Sequence, residues 1–273
     1  MQDDFERQRI LIEGENVNIS ETNVLKELVQ ISFNIILFII VIYFSVFIVS
    51  GIVIKSLSIE KQIALENFMT KVGSDFEVLN IDKEYLRKIN NIKNKILKYD
   101  TSFPKTSNLD VKVIRHKEMN ALCLPNGNIY ITSPLFDKIK ENDDMLFFVL
   151  AHEMAHYKNK DHIMNLRKNI SSGVILTILA LGGHNQSDLN KIIENTINLS
   201  DLNYSRSVEA RADKYAGKML LIEYGNTKSG VRALELLASK HYPERFYIFS
   251  THPTIEQRVK NLKEIERASA RRI

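Results

Sequence analysis

Residues 28–54, LVQISFNIILFIIVIYFSVFIVSGIVI, carry no charged side chain, and Lys26, Glu27 and Lys55 bracket them. A helix of 27 residues is roughly 40 Å long, ample to cross a hydrocarbon core of about 30 Å with some tilt. A buried core helix is rarely apolar all round for this length, so the run is expected to span a membrane. A cleavable signal is disfavoured, because its apolar core would be shorter, no small-x-small site follows, and the preceding tail is acidic. The chain then divides into a polar tail (1–27), a transmembrane helix (28–54), a folded domain (58–267) and a short C-terminal tail (268–273). The expected setting is a single-pass membrane protein, with a bacterial inner membrane as its location. Within about twenty residues of the span, Arg9 and Lys26 precede it and Lys55, Lys61 and Lys71 follow it, an asymmetry too small to set the orientation.

The 273 residues allow one good-sized domain besides these appendages. Lys and Arg number 37 against 33 Asp and Glu, with no long basic block, so no nucleic-acid partner is expected. Cys123 is the single cysteine, which excludes a disulfide framework or a zinc ribbon and reads as a small buried apolar residue.

Beyond the span, residues 58–99 show helical spacing in Ile59, Ile63, Phe68 and Val72, then in Leu86, Ile89, Ile92, Ile96 and Tyr99. A loop at 100–108 leads to three strands, at Val111–Ile114, Ala121–Leu124 and Ile129–Thr132. The Pro125-Asn126-Gly127-Asn128 turn makes the last two a hairpin. A helix is expected over 143–158, opened by acidic residues and free of Gly and Pro. The apolar run Ile170–Gly183 is short for a span and reads as a core helix or a membrane-dipping hairpin. Helices follow over 188–224, 229–239 and 254–267. The fold class is α+β: a mainly helical domain with a small antiparallel sheet or hairpin, preceded by a transmembrane helix.

The 143–158 helix contains His152-Glu153-Met154-Ala155-His156. Residues four apart share a helix face, so His152 and His156 can grip one zinc ion together. Glu153 borders that face and can take a proton from a zinc-bound water, the arrangement that H-E-x-x-H encodes in metallopeptidases.

Such a site needs a third protein ligand. His162 lies ten residues after His152, the metzincin spacing, with Asn159 where that motif has its turn glycine. Glu209 is the other candidate. Glu209 and Asp213 are four apart on a helix, and Ala212, Ala216 and Leu220 give it a face for close packing. The Asp can accept the free N–H of a zinc-bound histidine and fix its tautomer. With the histidine pair upstream, the carboxylate is the better reading.

HEMAH, then VEARAD, then STHPTIEQR is an order that resembles the M48 peptidases, a gluzincin family, over roughly residues 60–265. The resemblance implies one Zn2+ per chain held by His152, His156 and Glu209, with Glu153 as the base and Asp213 behind the ligands. It implies that His252 and Arg258 belong to the C-terminal block of the site, where Thr254 replaces the usual Ser. A His there can donate to the oxyanion, and Arg258 can hold its loop through a carboxylate or carbonyls. It further implies that the segment NALCLPNGNIYITSPL forms an edge strand and hairpin beside the cleft, with Asn120, Ala121 and Leu122 along the substrate. His162 then becomes structural, His184 and His241 are minor candidates to cap the open zinc position, and His116 is a strand residue.

The expected activity is that of a membrane-anchored zinc metalloendopeptidase acting on polypeptides, unfolded or membrane-proximal, in protein quality control. Its expected partners are those polypeptides and the lipid bilayer. Two rivals remain: a catalytically silent, zinc-stabilised binding module or scaffold, and a zinc hydrolase acting on something other than peptides.

Overall fold

The charge-free run forms helix α1, Val24–Ser56, whose N-terminal half stands clear of the rest of the protein. The computed structural model describes residues 24–57, 61, 62, 64, 67, 76–103, 109–180, 204–238 and 254–270. Along them, α1 is followed by helix α2 (Lys83–Tyr99) and strands β1 (Asp110–Ile114), β2 (Ala121–Cys123) and β3 (Asn128–Thr132). Six helices come next: α3 (Ser133–Ile139), α4 (Asp143–Lys158), α5 (Asp161–Ala180), α6 (Arg206–Tyr224), α7 (Lys228–Ala238) and α8 (Ile255–Ala270).

Helix α4 is the axis of the domain, and its observed limits are the expected 143–158. All its residues from Met145 to His156 are buried. A helix apolar round its whole circumference must be enclosed, and α2, α6, α7 and β2 enclose this one. Its ends are polar for separate reasons. Asp143 and Asp144 complement the positive pole of the helix, and Asp144 also accepts the Ser229 hydroxyl from α7. At the other end Lys160 takes a left-handed conformation, φ 53°, and the chain turns directly into α5. Asn159, the residue at the metzincin glycine position, stays right-handed at φ −80°.

The sheet has the order β1-β3-β2. β2 and β3 form the expected antiparallel hairpin, with Gly127 at φ 89° in its turn and the Gly127 N–H donating to the Leu124 carbonyl. β1 joins β3 in parallel, so the sheet is mixed rather than antiparallel throughout. The Asn-Gly turn fixes only its own two strands; the place of β1 follows from burying Val111, Val113 and Ile114. β2 is left at an edge, beside α4.

Two other segments depart from expectation. The helical reading of 58–99 holds for α2, but residues 76–82 are not helical before it. There Leu79 N–H donates to the Val113 carbonyl and Arg115 N–H to the Glu77 carbonyl, supplying partners for the outer edge of β1. Ile59, Ile63, Phe68 and Val72 lie outside the described residues. Helix α3 was not anticipated, although Pro134 in its first turn is a recognised start signal.

Helix α7 approaches α4 closely at Gly230. A Cβ there would meet Phe148 Cδ2 at 2.8 Å and Leu262 Cδ1 at 3.0 Å. Phe148 is fully enclosed and cannot swing away. Gly230→Val should therefore destabilise the protein by about 1–3 kcal/mol. Thermal unfolding of the detergent-solubilised chain would show this as a lowered midpoint, and an unchanged midpoint would contradict the packing.

Candidate metal centre

His152 and His156 project from the buried end of α4, one turn apart, and Glu209 reaches them from the first turn of α6. The two Nε2 atoms lie 3.1 Å apart. Glu209 oxygens stand 3.5 Å from that of His152 and 3.6 Å from that of His156. A tetrahedral zinc ion with bonds of about 2.0–2.1 Å separates its ligand atoms by roughly 3.3 Å. The spacing and the donor set, two imidazoles and a carboxylate, therefore fit zinc. Among the described residues, these three are the group of His, Cys, Asp and Glu side chains able to hold a metal ion together.

Behind each histidine stands a carboxylate, and behind each carboxylate an arginine. Nδ1 of His152 is 3.1 Å from Oδ1 of Asp213, a charge contact with the N–H turned off the line between them. Arg258 donates to both Asp213 oxygens, at 2.7 and 2.8 Å, and lies 3.4 Å from Glu209. On the other side, Nδ1 of His156 is 2.9 Å from Oδ2 of Asp161, the first residue of α5. Arg211 of α6 donates to the other oxygen of Asp161. The Tyr204 ring stacks on His156 at 4.2 Å, covering one face of the imidazole.

These neighbours set the proton affinities. Burial alone would raise Glu209, but His152 and Arg258 draw it down to about 2. Burial works against Asp213 too, and Arg258 and His152 hold it well below the usual carboxylate range. For His152, burial opposes the charge, yet Asp213 and Glu209 lift it to about 10. Glu153 goes the other way: its burial raises it, with partial relief from His152 and His156. A carboxyl raised in this way is a better proton acceptor than an ordinary one.

β2 faces this centre. Asn120 and Leu124 share ladder bonds with Thr132 and Asn128. Antiparallel alternation then turns the N–H and C=O of Ala121 and Cys123 toward the open edge. The Cys123 backbone bonds Glu153 and lowers it slightly. Asn120 is exposed and its side chain accepts the Ala121 N–H at 2.9 Å, while Leu122 is half-buried.

The structure thus gathers His152, Glu153, His156, Glu209, Asp213 and Arg258 into one site, with Ala121 at its margin, whereas the Leu122 side chain packs away from it against Ile114, Leu124 and Tyr130. His162 is buried in the first turn of α5 and is not in the metal-binding group. His116 follows the end of β1, and its Nδ1 accepts the Glu118 N–H, so it is a turn residue rather than a strand residue. His184, His241 and His252 lie outside the described residues. Sequence reasoning missed Asp161, Arg211 and Tyr204. Asp161 had a signal, an acidic residue just past the helix end, but Arg211 reads from sequence as an ordinary surface charge.

Comparison with known proteins agrees with this geometry. The chain is 24% identical over 200 residues to metalloprotease LoiP of Escherichia coli (strain K12), covering 71% of this chain and 75% of that protein. Residues 87–266, from helix α2 to helix α8 and including every residue of the metal centre described above, match Peptidase family M48. With a family match across most of the folded domain and a donor set spaced for zinc, the chain belongs to peptidase family M48 and is a metallopeptidase by family.

Proposed function

We propose that the protein is a zinc-dependent endopeptidase, anchored in a membrane by α1, that cleaves extended polypeptide segments in a quality-control role on unfolded or membrane-proximal chains. The observation that carries the reading is the convergence of His152, His156 and Glu209 with Glu153 beside them in a buried site. Helix α1 is long and apolar enough to cross a membrane, which supports the anchor.

His152, His156 and Glu209 would hold the ion. When bound, zinc supplies a Lewis acid that polarises the attacking water and the scissile carbonyl. Glu153 takes the proton from the water and passes it to the leaving amine. Asp213 and Asp161 keep the two imidazoles turned with Nε2 toward the ion, and Arg258 fixes Asp213. By family resemblance His252 donates to the oxyanion. An extended substrate pairs with the open edge of β2, displacing the Asn120 side chain from the Ala121 N–H.

Glu153→Gln should retain zinc and lose casein cleavage by about 10²–10⁴-fold, measured on the full chain in detergent with bound metal quantified. Retained cleavage would remove Glu153 from the chemistry. Zinc bound by both proteins with no cleavage by either would favour a binding module.

Zinc binding should also release a proton. In the metal-free protein His152 holds its proton up to about pH 10, and the ion must displace it from Nε2. Affinity therefore rises with pH below that value. Calorimetric binding enthalpies at pH 7 to 8 should depend on the buffer's ionisation heat, with about one proton released per ion.

Ala121→Pro removes an N–H on the open edge without breaking the β2–β3 ladder. Cleavage of unfolded protein should fall about tenfold, corresponding to the loss of one backbone hydrogen bond. Unchanged kcat/KM would rule out pairing along β2.

A further inference from the structure

Helix α5 has two unlike halves. All its charged residues lie between Asp161 and Lys168, and from Ile170 to Ala180 it reads ISSGVILTILA, without a charge. It also packs along α1. The covered face of α1 comprises Ile39, Ile42, Tyr43, Val46, Phe47, Ser50, Gly51 and Ile54, while residues 24–38 are exposed.

Two contacts fix the direction of the pairing. Lys160, at the corner before α5, donates to Gln62 beyond the end of α1 at 3.4 Å. Seven residues on, Arg167 donates twice to the Phe47 carbonyl, at 2.8 and 3.1 Å, with its guanidinium 3.9 Å from the centre of the Phe47 ring. As the numbering rises along α5 it falls along α1, so the two helices are antiparallel. The reverse orientation would carry Ile170–Ala180 past the charged end of α1 at Lys55 and leave Ile39–Val46 uncovered. Gly51 is part of the join, since a Cβ there would lie 2.5 Å from the guanidinium carbon of Arg167.

We propose that α5 is a second membrane-embedded element: its charged half lies at the bilayer surface and Ile170–Ala180 runs back into the lipid beside α1. The 13 described residues beyond Arg167 extend about 20 Å, enough to enter a core of about 30 Å. An arginine at the edge of hydrocarbon needs polar or aromatic partners, and the Phe47 carbonyl and ring supply both. Asp161, which bonds the metal-binding His156, then lies roughly 9 Å along the helix from Arg167. The metal centre therefore stands at the lipid surface, within reach of the juxtamembrane segments of other membrane proteins.

This inference rests on α1 being the membrane span, and one experiment separates the two. In a Cys123→Ala background, single cysteines at Phe33, Met164, Ser172 and Glu235 are treated with a membrane-impermeant maleimide. Open membrane fragments are used so that both faces are reached, and labelling is compared with that in denaturant. All four residues are exposed in the isolated chain. Glu235→Cys and Met164→Cys should label fully, and Phe33→Cys and Ser172→Cys at least tenfold less. Ile175→Cys repeats the embedded position if Ser172→Cys is unstable. Labelling of Ser172→Cys with Phe33→Cys protected places α5 outside the lipid and overturns the inference while leaving the anchor intact. Protection of both α5 positions overturns the surface level assigned to Arg167. Labelling of Phe33→Cys overturns the span, and this inference with it.

Discussion

The charge balance around one buried helix end governs the rest of the structure. Glu153, Glu209, Asp213 and Asp161 are all buried within contact of α4, and Arg258 and Arg211 are the guanidiniums that meet them. With both histidines neutral, four carboxylates against two guanidiniums leave two negative charges. An unpaired buried charge costs several kcal/mol, so the site needs a divalent cation or an equivalent number of protons. Without an ion, the proton affinities move in that direction: His152 is raised into its cationic form and Glu153 is raised toward its neutral one. A divalent ion and the protons would compete for the same deficit, so the donor set suits zinc by charge as well as by distance.

The packing of the domain serves that balance. Helix α4 can bring two histidines inside because its other faces are wholly apolar and enclosed. Helix α6 supplies Glu209, Arg211 and Asp213 from two successive turns, and small residues on its face, Ala212 and Ala216, let it approach α4. Helix α8 closes the arrangement by bringing Arg258 to Asp213. The left-handed Lys160 turns the chain at the one point where Asp161 can reach back to His156.

What sequence made legible follows from how local each signal is. The limits of α4, the histidine pair and the Glu209–Asp213 pair all follow from spacing within one helix, where 3.6 residues per turn leaves little choice. The hairpin was legible because Asn-Gly specifies its own turn. The parallel pairing of β1 with β3 was not, because no short-range signal relates strands that are not consecutive. Arg211 was hidden for a similar reason: its partner, Asp161, comes from the start of another helix. Ile170–Gly183 is too short for a span and too apolar for a surface helix, so its length alone could not assign it.

The contact between α5 and α1 has a consequence for how the domain should be handled. Asp161 and Arg167 sit on one continuous helix, less than two turns apart, so the residue that contacts His156 and the residue that grips α1 move together. A fragment beginning after α1 keeps His152, His156 and Glu209. It leaves Arg167 without the Phe47 carbonyl and ring, and it removes the helix that packs along α5. Such a fragment has the chemistry but not the support for it. Helix α1 is therefore part of the folding unit of the site, because it holds in place the element whose first residue contacts one of the two histidines.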